Sequence, residues 1–345
     1  MPMETLSRAD IESFSRSLDR ARRVTVVSHT HPDGDAAGSA AALFSYILER
    51  RGKEVKVILP DYPSDTLLFL CDNVIFASDH AKEAEAWIKG SDLIILIDAN
   101  EIRRTEQLES LIRASSAQKI LIDHHVGPER ESFSLVFSDT EVSSACELLF
   151  WILLEMPDIK ADAASLPCDA ARALLAGMTT DTNNFANSVF PTTLEMASRL
   201  LKAGVDRDDI LDHLYNRYRE NRIRAMGYMQ SECMHITPKG AAFMIVTKAI
   251  QERFDIREGE TEGLVNVPLA IGKVRISILL KEDEGHFRVS IRSKKGTSAR
   301  ELAKSRFHGG GHEMASGGKL YFPGDIPSPA DAQAYLETVT DEFLK

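Results

Sequence analysis

Three apolar segments of this sequence are each followed at once by acidic residues or histidines, and this pattern constrains the fold more than any other feature. The segments are residues 24–27, 92–97 and 119–122, and helical patterns separate them along the chain. Apolar runs without alternation are typical of strands covered on both faces of a parallel sheet. Because the carboxyl ends of parallel strands lie along one edge, the polar residues that follow them should converge there. The sequence therefore predicts an α/β fold with a site at this edge.

The first apolar segment leads into a loop, residues 28–39, that contains two histidines and two aspartates. His29 and Asp33 could share one metal ion, and Asp35 is near enough to serve a second. Imidazole together with carboxylate suits Mn²⁺, Zn²⁺ or Fe²⁺ better than Ca²⁺. The alternative interpretation is an acidic turn in which Asp35 is the N-cap of the following helix.

Four aspartates and three histidines are expected to converge at the sheet edge: His29, Asp33, Asp35, Asp98, His124, His125 and Asp181. Without cations, the carboxylates would repel one another, and burying so many charged groups would cost a large desolvation free energy. Two divalent metal ions about 3.5–4 Å apart, bridged by one carboxylate, would balance them and activate water, which predicts phosphoester or phosphoanhydride hydrolysis. Taken singly, Asp98 could cap a helix, and His124 and His125 could be loop histidines bonded to the backbone.

Composition and charge narrow the class of protein. A chain of 345 residues predicts two domains, and the formal net charge of −11 argues against a protein that coats long nucleic acid. The negative charge does not exclude small anionic substrates, because bound metal ions supply positive charge locally. No apolar run of about 18 residues and no basic-then-apolar leader is visible, and the four cysteines are scattered. We expect a cytoplasmic protein without a membrane segment, a structural zinc site or a disulfide framework.

The helix and strand pattern predicts three parts: a parallel-sheet domain over 1–190, a helical linker over 191–235 and a smaller α+β domain over 236–345. In the first part, strands are predicted at 24–27, 53–59, 92–97 and 119–122, and helices at 11–21, 81–88, 103–113, 143–154 and 169–178. In the last part, strands are predicted at 242–247, 273–280, 286–293 and 319–322, with helices at 298–306 and from 330.

A run of three glycines, Gly309, Gly310 and Gly311, marks the last part of the chain. Successive glycines let backbone N–H groups approach a phosphate closely. Arg292, at a strand end, offers a bidentate fork for another phosphate, and His312 offers a further donor. A flexible turn is the alternative interpretation of the run. The flanking histidines and the preceding basic helix favour the phosphate site.

The combined motifs resemble those of the DHH phosphoesterase superfamily, in order and rough spacing. The matching residues are His29 with Asp33-Gly34-Asp35, then Asp98, Asp123-His124-His125 and Asp181. Arg292 with Gly309–His312 is similar to the signature of the accompanying DHHA1 domain. Residues 262–266 and the overall length resemble the nano-RNases, which are bifunctional oligoribonucleases and pAp phosphatases.

This resemblance implies a role for each residue of the predicted site. One metal ion would be held by His29, Asp33 and Asp98, and the other by Asp35, Asp98, His124 and Asp181. Asp98 would be the bridge, and two Mn²⁺ ions are the cofactors implied. His125 would face the scissile phosphate as donor or general acid, and Asp123 would orient a histidine. His31 would either contact substrate or be a surface histidine.

The resemblance also implies the fold and the substrates. The active site would lie in a cleft between a DHH domain and a smaller DHHA1 domain, whose Arg292, Gly309–Gly311 and His312 would hold the far end of the substrate. Short RNA oligonucleotides and pAp would be hydrolysed, long duplexes would not, and a homodimer is compatible with the sequence. The alternatives are a cyclic-dinucleotide phosphodiesterase, a RecJ-like exonuclease, an inorganic pyrophosphatase or exopolyphosphatase, and a non-catalytic nucleotide-binding regulator.

Overall fold

The structure, a computed structural model, describes residues 6–344, so the outermost parts of the predicted domains, residues 1–5 and 345, lie outside the described residues. Two units make up the chain: the first ends at Arg217 and the second begins at Tyr218. The segment 191–235, predicted as a helical linker, is largely helical, and the division between the units falls inside it. The domain boundaries at 190/191 and 235/236 stay predictions.

The first unit is built on a sheet of six parallel strands. They are β1 Arg23–Val27, β2 Glu54–Leu59, β3 Val74–Phe76, β4 Leu93–Ile97, β5 Gln118–Asp123 and β6 Leu135–Ser138. Alternate residues of β4 pack into two different apolar clusters, Ile95 into one and Ile94 into the other. Both faces of the sheet are therefore covered, and the α/β fold predicted from the apolar segments is confirmed.

The helices of the first unit lie on the two faces of this sheet. They are α1 Arg8–Arg20, α2 Gly34–Arg51, α3 Ala77–Lys89, α4 Glu109–Ala114, α5 Ala145–Leu154, α6 Cys168–Asp181, α7 Pro191–Lys202 and α8 Arg207–Tyr215. The strand order is β3-β2-β1-β4-β5-β6. Strands β2 and β3 are added on one side of β1, and strands β4, β5 and β6 are then added on its other side. The switch point of the sheet lies between β1 and β4, which is where α/β proteins bind ligands.

Helices α2 and α6 approach closely because Gly177 has no side chain. A methyl group on Gly177 would lie 2.3 Å from Cys146 Sγ and 2.9 Å from the Gly34 carbonyl oxygen. Such contacts exclude any larger residue unless the backbone moves. The approach brings Asp35, in the first turn of α2, to the same region as Asp181, the last residue of α6.

Some local predictions in this unit are wrong in detail. The segment 103–113 is not one helix: a 3₁₀ helix, Ile102–Leu108, precedes α4, because Glu106 has a φ of 42° that a continuous right-handed helix excludes. Strands β3 and β6 escape prediction because three and four residues are too few for a periodic signal. Helix α6 continues past Met178 to Asp181, so this aspartate is helical and not part of a loop.

The second unit is a mixed sheet with helices, which confirms the predicted α+β class. Its elements are α9 Glu220–Glu232, β7 His235–Ile236, β8 Ala241–Val246, α10 Lys248–Arg253, β9 Ile276–Glu282, β10 His286–Ser293, α11 Ala299–Arg306, β11 Gly310–Gly311, β12 Ala315–Tyr321 and α12 Ala332–Phe343. The strand order is β11-β12-β10-β9-β8-β7, with only β8 and β9 parallel. Across residues 6–344, no helix has the length and apolar character needed to span a membrane.

Candidate active site

The predicted histidines and aspartates meet at the carboxyl ends of β1, β4 and β5. His29 follows β1, Asp98 follows β4 directly, and Asp123 and His124 stand at the end of β5. Strands β1 and β4 are neighbours at the switch point, and β5 lies next to β4. The sheet topology thus places these side chains at the position expected for a ligand site.

Asp98 occupies the centre of the cluster. Its side chain is buried, and its Oδ2 lies 3.5 Å from His29 Nε2 while its Oδ1 lies 3.5 Å from His124 Nε2. Oδ1 accepts no hydrogen bond from any described residue. Its φ of 54° is unusual for a residue other than glycine, and such strain is concentrated at functional sites. A buried carboxylate oxygen without a donor fits a bound cation.

The cluster contains two groups of potential metal ligands that share Asp98 and include predicted ligands alone. In the first group, ligand atoms of His29, Asp33 and Asp98 all lie within 4.8 Å of one another. The second group, with the same spacing, is Asp35, Asp98 and His124. Asp181 lies next to this second group, with its Oδ2 3.8 Å from His124 Nε2. Five of the six predicted metal ligands therefore lie in two sets that share Asp98, and the sixth, Asp181, lies beside the second set.

The two aspartates of the first loop have different surroundings. Asp33 is the N-cap of α2, and its Oδ1 accepts hydrogen bonds from the backbone N–H groups of Asp35, at 3.0 Å, and Ala36, at 3.1 Å. The alternative prediction of Asp35 as the N-cap is wrong, because the helix begins one residue after Asp33. The buried carboxylate of Asp35 instead accepts from the backbone N–H groups of Ala145, at 2.6 Å, and Cys146, at 2.9 Å, at the start of α5.

Hydrogen bonds set the orientation of two histidine rings. Nδ1 of His29 lies 2.7 Å from the Thr30 carbonyl oxygen, which can only accept, so the Nε2 lone pair faces Asp98 and is available to a metal. Nδ1 of His125 lies 2.8 Å from Asp123 Oδ1, and the backbone N–H of His125 donates to Asp123 Oδ2 at 2.9 Å. Asp123 therefore orients His125. A third group of potential ligands with the same spacing is Asp98, Asp123 and His125.

The charges of the cluster perturb one another strongly. Burial opposes ionisation of Asp98, yet its contacts with His124 and His29 hold the pKa of its carboxyl well below the usual range. Burial would lower the pKa of His124, but Asp98 and then Asp181 raise it to about 10. Burial, and then repulsion by Asp98, raises the pKa of Asp35 well above its usual range. The acidic residues thus favour positive charge in the site, a demand that divalent cations also meet.

Two residues outside the sequence motifs lie at the same edge, Asp61 and Arg104. Asp61 accepts hydrogen bonds from Thr30 Oγ1 and, at 3.2 Å, from the backbone N–H of His31. It follows β2, so the rule that strand ends carry site residues could have identified it. Arg104 Nη1 lies 3.3 Å from His125 Nε2. It lies in a segment predicted as a regular helix, which carries no such signal.

His31 is exposed and has a φ of 51°. Its role, as a substrate contact or a surface histidine, stays a prediction.

The predicted substrate-binding residues lie in the second unit. Arg292 is half-buried near the end of β10 and pairs in register with Ala315 of β12. Gly310 and Gly311 form β11, which pairs with Gly317 and Ser316 of the same strand β12. The glycine run is therefore hydrogen-bonded to a sheet and is not a flexible turn. His312 follows, and its backbone N–H donates to the Ala315 carbonyl oxygen at 2.8 Å.

Comparison with known proteins agrees with this geometry. Residues 23–178 match the DHH family N-terminal domain, and residues 242–343 match the DHHA1 domain. A protein of Streptococcus mutans named "Probable bifunctional oligoribonuclease and PAP phosphatase NrnA" is 32% identical, with 86% of this chain and 90% of the relative covered. The Bacillus subtilis "Bifunctional oligoribonuclease and PAP phosphatase NrnA" is 28% identical, with the same coverage of 86% and 90%.

A solved structure matches this chain over nearly its full length. The crystal structure of an exopolyphosphatase-related protein from Bacteroides fragilis has a TM-score of 0.90 and 32% sequence identity, and the match covers 99% of this chain and 98% of that one.

The fold and the cluster around Asp98, together with the family match, identify a phosphoesterase of a metal-dependent family. The chain belongs to the DHH family and carries a DHHA1 domain.

Proposed function

We propose that this protein hydrolyses short oligoribonucleotides to mononucleotides and removes the 3′-phosphate of 3′-phosphoadenosine 5′-phosphate (pAp). The observation that carries the proposal is the sharing of Asp98 by two groups of metal ligands. Such a pair of sites suits displacement at a phosphate, and relatives of similar length have names that state both activities. A cytoplasmic location and a homodimer stay predictions.

In this proposal two divalent ions, Mn²⁺ by preference, are the cofactors. His29, Asp33 and Asp98 would hold one ion, and Asp35, Asp98, His124 and Asp181 would hold the other. Carboxylate and imidazole ligands suit Mn²⁺. When bound, the metals polarise phosphate oxygens and lower the pKa of a coordinated water. The backbone N–H groups at the starts of α2 and α5 keep Asp33 and Asp35 in place to receive them.

The protein residues have separate tasks around this centre. Asp123 fixes the ring of His125 through Nδ1, so that Nε2 is the atom that passes a proton to the leaving oxygen. In the second unit, Arg292 and the segment Gly309–His312 bind the end group or second phosphate of the substrate. This division assigns chemistry to the first unit and recognition to the second.

A second candidate function is hydrolysis of phosphoanhydrides. The similar Bacteroides fragilis protein is described as "exopolyphosphatase-related", which favours this function, and the same metal ligands would serve that reaction. Phosphoanhydrides such as polyphosphate lack a nucleoside, so substrate comparison separates the two functions.

Purified protein with Mn²⁺ is offered pGpG, pAp, a long single-stranded RNA, a cyclic dinucleotide, pyrophosphate and polyphosphate in parallel, and products are separated by anion-exchange chromatography. We expect turnover of pGpG and pAp far above that of the other four. An Asp98→Asn preparation controls for contaminating nucleases. Preferred hydrolysis of polyphosphate, or of the cyclic dinucleotide, would contradict the proposal and favour that alternative.

A further inference from the structure

Arg104 is held beside the candidate metal centre by its backbone. It lies in the 3₁₀ helix Ile102–Leu108 that follows β4, and its carbonyl oxygen accepts a hydrogen bond from the Thr30 N–H at 2.9 Å. Thr30 follows His29 directly, so the position of Arg104 is tied to a predicted metal ligand. Its side chain extends to His125, with Nη1 3.3 Å from Nε2.

The guanidinium of Arg104 has no acidic partner within residues 6–344, and this distinguishes it from nearby arginines. Arg103 pairs with Glu101 at 2.9 Å, and Arg113 pairs with Glu129 at 2.5 Å. Arg104 is half-buried, and it forms no ion pair with a described residue although several carboxylates stand at this edge of the sheet. A partly desolvated cation without a counter-ion is costly, and an anionic ligand bound at this edge would supply one.

We propose that Arg104 is a catalytic residue that binds a non-bridging oxygen of the phosphate being cleaved. The proposal rests on the proposed function and deepens it. A planar guanidinium presents its donors in a fork that matches phosphate oxygens. Arg104 and His125 already lie together, so Arg104 can contact a non-bridging oxygen of the phosphate whose leaving oxygen receives a proton from His125. Charge that develops on that oxygen in the transition state is then stabilised by a preorganised donor.

This assignment is tested with Arg104→Ala and Arg104→Lys, and with Arg103→Ala as the matched control on the adjacent, exposed arginine. Two substrates are used, pGpG and bis(p-nitrophenyl) phosphate, which has no second anionic group. Removal of one such donor lowers kcat by roughly 10²–10³. We expect Arg104→Ala to lose this factor on both substrates, Arg104→Lys to recover part of it, and Arg103→Ala to match the wild type.

Calorimetric titrations give a readout that does not depend on turnover. Mn²⁺ should bind Arg104→Ala with wild-type stoichiometry, whereas AMP should bind the Mn²⁺-loaded variant at least about tenfold more weakly, the loss expected for one charge-assisted contact.

Three outcomes would overturn the assignment. Loss of a Mn²⁺ equivalent in Arg104→Ala would make Arg104 a residue that supports the metal site. A loss of activity confined to pGpG would make it a contact to the remote end of the substrate. If the wild type hydrolyses neither substrate, the proposed function is wrong. The AMP titration still tests the phosphate contact of Arg104 in that event, because equal AMP affinity in wild type and Arg104→Ala would refute that contact.

Discussion

Replacement of Asp98 tests the metal assignment most directly, and asparagine is the appropriate substitute. Asparagine keeps the side-chain shape and tolerates the φ of 54°, whereas alanine would add about 1–2 kcal/mol of backbone strain. The change removes the carboxylate that both ligand groups share. Metal polarisation contributes several kcal/mol of transition-state stabilisation, and a loss of about 4 kcal/mol lowers the rate about 10³-fold. We expect Asp98→Asn to reduce kcat on pGpG by at least this factor.

The assay combines kcat for pGpG at saturating Mn²⁺ with calorimetric titration of Mn²⁺ and thermal unfolding. Asp72→Asn, at an exposed aspartate of the same unit, is the control and should match the wild type. Asp98→Asn should bind Mn²⁺ at reduced stoichiometry or affinity while remaining folded. A variant that keeps both metal equivalents and more than about a tenth of the wild-type kcat would refute the inference that Asp98 bridges the sites.

Three further predictions concern other residues. His125→Ala should lower kcat by roughly 10²–10⁴, the usual contribution of a general acid or base, with both Mn²⁺ equivalents retained. Calorimetric loss of one equivalent would show that His125 is a metal ligand. Arg292→Ala should cost about ten- to two-hundred-fold in kcat/KM on pAp, from ~1.5–3 kcal/mol, and much less on bis(p-nitrophenyl) phosphate. Equal losses would place Arg292 at the reacting phosphate or in the fold. Hydrogen bonding with Arg113 lowers the pKa of Glu129 to about 2, so its contribution to stability is present above pH 4.5 and is lost as the pH falls toward 2. The unfolding free energy of Glu129→Gln should therefore change less than that of the wild type over this interval, and parallel pH profiles would contradict the assignment.

The position of the site could be predicted because it depends on chain topology. Strand β4 is apolar throughout and is followed directly by Asp98, and β5 ends at Asp123 and is followed by His124. Parallel strands have their carboxyl ends at the same edge, so short-range patterns in the sequence suffice to place these residues together. Asp61 obeys the same rule after β2, and applying the rule to every strand would have included it.

The geometry within the site could not be predicted, because it depends on contacts between distant parts of the chain. Asp33 and Asp35 stand two residues apart in one loop, and the residue at which α2 begins decides which of them is the N-cap. The orientation of Asp35 is fixed by the N–H groups of Ala145 and Cys146, about 110 positions away in the sequence. Arg104 likewise reaches His125 from a 3₁₀ helix that stands where the pattern predicts a regular helix.

The three glycines of the run, Gly309, Gly310 and Gly311, differ in whether packing against β12 requires a residue without a side chain. An added methyl group would lie 1.9 Å from the Gly317 carbonyl oxygen at Gly309, and 2.8 Å from the Ala315 carbonyl oxygen at Gly311, where φ is also 137°. The close approach of β12 requires glycine at these two positions, so their replacement should destabilise the second unit. Such variants would not test whether the run binds phosphate. At Gly310 the same methyl group meets no atom of the described residues within 4 Å, and the position is exposed.

Gly310→Ala therefore tests the predicted phosphate contact without disturbing the strand. Because the added methyl group points into open space, thermal unfolding should stay at the wild-type temperature, whereas Gly309→Ala, the matched control, should unfold at a lower temperature. If backbone N–H groups of the run bind the second phosphate of pAp, the methyl group obstructs its approach, and KM for pAp should rise while turnover of bis(p-nitrophenyl) phosphate is unchanged. An unaltered KM for pAp in a folded Gly310→Ala protein would mean that the glycines serve only the packing of β11 against β12, and recognition would then depend on Arg292 and His312.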